Sequence, residues 1–155
     1  MEEDQYRDTY RQINPLKCVF EKAINSRRCH CNAAHRFCLA DREGVSCTDK
    51  QTHQHCLALL DTVRSNALFA MRLTKVDGPL PHNKEMRVQI GGLLGLQKLL
   101  SIQPQADIEV ADIKPLITQA LAHYGDVAKL PFDQIVQQIV HYEGRSRRQR
   151  KPLED

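Results

Sequence analysis

Tryptophan is absent from this chain of 155 residues, and the aromatics are few, four Phe and four Tyr. Leu, Ile, Val and Ala must therefore build the core. No stretch approaches 18 consecutive apolar residues, so no segment reads as a membrane-spanning helix. The start, Met1-Glu2-Glu3-Asp4-Gln5, is acidic and lacks the apolar run of a secretory signal. The default compartment is then the cytoplasm, where clustered cysteines more often bind metal or react than form disulfides. A formal charge of +3 is too mild to imply a nucleic-acid or membrane partner by itself. No Gly-Lys-Ser/Thr follows a glycine run, which excludes a phosphate loop. CxxC pairs, ferredoxin spacing, zinc-finger spacing and any catalytic motif are missing as well.

What the chain has is a concentration of thiols. All six cysteines, Cys18, Cys29, Cys31, Cys38, Cys47 and Cys56, fall in one stretch, together with His30, His35, His53 and His55. A chain of this length buries enough surface to fold without staples, so the cysteines need another reason.

Hydropathy patterning predicts an all-α fold, a single domain over residues 1–143 with five to seven helices. It divides into a cysteine-rich, metal-binding segment, 14–73, and an apolar helical half, 83–143. Helices are expected over 3–13, 15–25, 32–43, 49–73, 83–100, up to Tyr124, and from Pro131. Gly44 and Gly125 read as left-handed stops, and Thr48 with Gln51 as a capping box. The centre of the 83–100 helix, Ile90-Gly91-Gly92-Leu93-Leu94-Gly95-Leu96, is apolar nearly all round. Three glycines in a helix each cost about 1 kcal/mol relative to Ala, which points to close packing against another helix. Residues 144–155 form a basic tail without an apolar anchor and are expected to be disordered.

Three readings of the cysteines compete. Cys29, Cys38, Cys47 and Cys56 step by nine residues, whereas the disulfide-bonded twin Cx9C hairpins have nine residues between cysteines and this chain has eight. Structural zinc draws its ligands in close pairs, and the one close pair here is Cys29-His30-Cys31. An iron–sulfur cluster also takes thiolates. Being larger than one ion, it can draw them from separated elements, and Arg27, Arg28, Arg36 and Arg42 could offset its charge.

The resulting expectation is a small iron–sulfur protein, with a 4Fe–4S centre serving electron transfer, cluster handling or redox sensing with a protein partner. The expected ligands are Cys18, Cys29, Cys31, Cys47 and Cys56. Cys38, among apolar neighbours, ranks last, and His30 and His53 are secondary candidates. On an ideal helix Cys18 sits opposite Leu16 and Phe20, so it should face a site. An unbroken helix would hold it about 16 Å from Cys29, so the helix must end near Asn25. The alternatives are a zinc-stabilised helical adaptor or regulator, touching nucleic acid through the five basic residues between Arg145 and Lys151, and a metal-free helical partner-binding protein.

Overall fold

A computed structural model describes residues 2–71, 80–100 and 109–142. The expected tail (144–155) and most of the expected loop at 74–82 lie outside the described residues. Six α-helices and one hairpin are present among them: α1 (Glu3–Ile13), α2 (Glu21–Asn25), β1 (Ala34–Leu39), β2 (Arg42–Cys47), α3 (Lys50–Ala70), α4 (His82–Leu99), α5 (Ile113–Tyr124) and α6 (Phe132–His141), with one 3-10 turn at Val127–Lys129. The chain is mostly helical, as the patterning predicts, but it is not all-α.

The correction concerns residues 32–47. The predicted helix is an antiparallel hairpin, in which Ala34 pairs with Cys47 and Leu39 with Arg42. Ala40 and Asp41 turn it, both at positive φ (50° and 68°), the twist a two-residue hairpin turn needs. That position usually carries Asn-Gly or Asp-Gly, so no turn signal was legible. Gly44 is not a helix stop. It faces Phe37 across the ladder, and a Cβ there would run into the Phe37 ring.

The helix expected over 15–25 is also shorter, because residues 16–18 are extended. Cys18 N–H donates to Val45 O at 2.9 Å and Cys47 N–H to Leu16 O at 2.8 Å, so this segment lies along the free edge of β2. Only α2 remains helical, and it ends at Asn25 as the reach argument requires. Arg27 then reverses the chain at φ 70°.

One hydrophobic core draws on both halves of the chain, from Phe20 and Ile24 through Leu60 and Val63 to Leu93, Ile117 and Ile139. α4 is its axis. Glu85 and Gln89 are its buried polar residues near α2 and α3. Glu85 pairs with Arg64, and Gln89 accepts from Ala23 N–H at 3.1 Å, tying α2 to α4. The glycines of α4 let α6 approach its backbone. A Cβ on Gly91 would lie 2.8 Å from Ile139 Cα, and one on Gly95 would lie 2.6 Å from Ile135 O.

Gly95→Ala must push two backbones apart, an overpacking cost of about 1–3 kcal/mol that exceeds the roughly 1 kcal/mol gained in helix propensity. A Cβ on Gly92 would meet side-chain atoms, the nearest being Val63 Cγ1 at 3.1 Å, and a side chain can yield. Urea denaturation should show a lower midpoint for Gly95→Ala and little change for Gly92→Ala.

Candidate metal centre

Four thiols line one small apolar pocket: Cys18, Cys31, Cys47 and Cys56, with Val19, Phe20, Ala33, Ala34, Thr52, His53 and Ile113 around them. Each reaches it by a different route. Residues 16–18 lie antiparallel to 45–47, and side chains two apart in a strand share a face, so Cys18 and Cys47 project together. β2 ends at Cys47, and Asp49 opens α3 by accepting from the N–H groups of Gln51 (3.0 Å) and Thr52 (3.2 Å). The cap is thus Asp49, not the predicted Thr48 box. Cys56 follows on α3 among its buried residues, one turn after His53.

Cys31 arrives from the other side. The loop before it is pinned to the strand-like approach of α5. Val110 N–H donates to Arg28 O (2.8 Å), His30 N–H to Val110 O (3.0 Å) and Ile113 N–H to His30 O (2.8 Å). Asp112 accepts from Asn32 N–H at 2.9 Å. Cys31 is thereby held over the first turn of α5, where the Lys114 backbone N–H faces its sulfur.

A repeated local geometry accompanies three of the four thiols. The backbone N–H two residues on faces each sulfur: Phe20 for Cys18, Ala33 for Cys31, and Asp49, at 3.5 Å, for Cys47. Such N–H dipoles favour a sulfur carrying negative charge, and hydrogen bonds to sulfur tune thiolate-bound centres. Burial works the other way. It pushes the Cys18 thiol up to about 12 and raises Cys31 and Cys56 as well. Mutual repulsion adds to this, since Cys56 feels Cys18, Cys31 and Cys47 together. Four anionic sulfurs cannot share this pocket without a cation.

The other expected site residues lie elsewhere. Cys29 is fully buried, its sulfur facing the Val110 N–H with Arg28, Glu109 and Tyr142 nearby. It has the packing role that a polar loop did not suggest. Cys38 is exposed on β1, opposite Glu43. His30 is exposed and enters through its backbone alone. His53 does line the pocket, but its Nε2 lies 2.9 Å from Lys17 O. The four arginines expected to offset cluster charge are engaged elsewhere, Arg27 and Arg36 with Glu43, Arg42 with Glu3, and Arg28 with Tyr142. The cation that senses Cys31 and Cys47 is Lys114, which nothing local in the sequence marks, because it lies far along the chain.

Among the described residues, no group of three or more His, Cys, Asp or Glu side chains stands ready to hold a metal ion. The thiols are gathered, not closed on a centre.

Compared with protein-family models, curated proteins and solved structures, the chain matches none. What it does must be read from the pocket. No helix among the described residues is long and apolar enough to cross a membrane.

Lys114 Nζ pairs with Asp49 at 2.9 Å and, ahead of the Thr52 amide, holds that carboxyl down to about 2. Asp49 thus caps α3 and ties it to α5 on either side of the thiols. Asp49→Ala should lower the thermal midpoint by a few degrees. Asp49→Asn, which keeps a cap acceptor and loses the charge, should lower it less.

Proposed function

We propose that the protein binds an iron–sulfur cluster through Cys18, Cys31, Cys47 and Cys56, and that this centre serves electron transfer, cluster handling or redox sensing. The observation that carries the reading is the convergence of four thiols, from an extended segment, a loop, a strand end and a helix, into one apolar pocket. Four thiolates are the ligand set of the common clusters. Among the described residues, no carboxylate lines this pocket to compete for a harder ion. The spread of the thiols over four backbone pieces suits a centre larger than one ion. The N–H groups facing three of the sulfurs would stabilise them as ligands.

Zinc is the second reading, and one observation favours it. The void between the thiols is about 20 Å³, close to the room a single water needs. A cluster requires the pocket to widen, with residues 16–18 and the 31–34 turn moving outward from α3. A tetrahedral zinc site with four thiolate ligands requires only that the thiols close inward.

Purification without oxygen, followed by metal and sulfide analysis, separates the two. The cluster predicts a brown protein with iron and acid-labile sulfide in equal amounts. Cys→Ser at 18, 31, 47 or 56 should each lower the metal content severalfold or abolish it. Cys38→Ser should leave it unchanged. Cys29→Ser should lower stability by about 1–3 kcal/mol, because it buries a hydroxyl, while the metal stays. A colourless protein with zinc and no sulfide would replace the cluster with the second reading. A metal-free protein whose stability the four substitutions do not alter would reject both.

A further inference from the structure

A second and much larger cavity, about 700 Å³, opens beside the thiol pocket, and Cys18 and His53 stand in the walls of both. Its size falls within the ordinary range for small-molecule sites. α3 supplies an apolar wall next to its core stripe, with Leu57 and Leu68 on the line Leu57, Asp61, Arg64, Leu68 and with Leu60 beneath. Leu57 is 44% exposed, a large apolar side chain turned to the cavity and not to the core. Leu57 and Leu68 are three turns apart, about 16 Å along the helix, with Asp61 and Arg64 between them on that line and Leu60 filling the gap after Leu57.

The charges around this wall are not equivalent. Arg64 faces two carboxylates, buried Glu85 and exposed Asp61, so that group of three carries a net negative charge. Glu21 is occupied by Tyr10 Oη and the Val45 N–H, with Lys17 3.8 Å away. Lys22 differs. Its Nζ has His82 Nδ1 at 3.1 Å, and among the described residues no carboxylate pairs with it. An ammonium in contact with one ring nitrogen keeps its charge and two further donors. The cavity therefore offers at Lys22 a positive charge that no carboxylate pairs with among the described residues, and on the α3 side Leu57, Leu60 and Leu68, with Asp61 and Arg64 between them.

We propose that this cavity binds an amphipathic organic anion, its acidic head at Lys22 and its apolar body along Leu57, Leu60 and Leu68. The bound molecule lies against Cys18. Binding itself is independent of the metal, while its effect on the centre rests on the ligand set proposed above.

Decanoate and decyltrimethylammonium share a tail and differ in the sign of the head, so calorimetric titration of both tests the proposal. Decanoate should bind with one-to-one stoichiometry, and the cationic analogue should bind at least tenfold more weakly. Lys22→Glu should reverse that preference. Leu57→Gln, at an exposed position that folding does not need, should weaken decanoate about tenfold, the loss expected on removing most of a buried Leu contact. Equal binding of the two amphiphiles, no binding of decanoate, or a decanoate affinity unchanged in both variants would overturn the site. The titration runs equally on metal-free protein, so failure of the metal reading leaves it standing. In metal-loaded protein that absorbs in the visible, saturating decanoate should shift the spectrum. A spectrum that does not move would remove the ligand from Cys18.

Discussion

The short ladder between residues 16–18 and the end of β2 is the interaction on which the thiol pocket depends. Its two backbone hydrogen bonds place Cys18 and Cys47 on one face. Neither residue comes from an element that would bring them together by itself. The ladder is reinforced at Val45, whose carbonyl also accepts from Asn14 Nδ2 (3.0 Å) and whose N–H donates to Glu21 (2.9 Å). Buried backbone groups must be paired, and here the pairing decides where the N-terminal segment runs. α1 then lies over the outer side, through Tyr10 against Phe37 and Arg42 with Glu3.

From that ladder the other contacts follow in sequence. Cys47 ends β2, Asp49 starts α3, and Cys56 faces inward because α3 must bury Leu59, Leu60 and Val63 against α4. Cys31 is placed from the opposite end of the chain, by the pairing of Arg28 and His30 with Val110. The thiol pocket therefore joins the cysteine-rich segment to the C-terminal helices. A centre bound there would link parts of the chain that the apolar core already holds together, so its binding energy would add to folding.

Electrostatics gives the pocket its character. Three of its thiols are pushed up by burial, while amide N–H groups aimed at three sulfurs favour the opposite state. Without a cation, burial and repulsion disfavour the anionic form of Cys18, Cys31 and Cys56. With one, the same burial strengthens each metal–sulfur contact, because nearby water no longer competes. The larger cavity next to it is different in kind, open, lined along α3 by leucines interspersed with Asp61 and Arg64, and marked by a lysine that no carboxylate pairs with among the described residues.

Much was legible in the sequence because it depended on local periodicity. The stripes of α3, α5 and α6 and the all-round apolar centre of α4 follow from 3.6-residue spacing, and the glycines of α4 did mark a close helix contact. That all six cysteines lie between residues 18 and 56 is plain from their positions alone. The hairpin was not, since Ala33, Ala34 and Phe37 fit helical spacing and the Ala40-Asp41 turn lacks the usual glycine. Cys18 was expected to face a site because it lay on the polar side of a helix. It does face the pocket, but as part of an extended edge. The choice of Cys31 over Cys29 came from tertiary structure alone. These thiols are two residues apart in the same loop, and only the pairing of that loop with Val110, some eighty residues later, turns one into the core and the other toward the pocket. Sequence determined which residues could serve; long-range backbone hydrogen bonding decided which of them meet, because it sets the direction of side chains that local propensity leaves free.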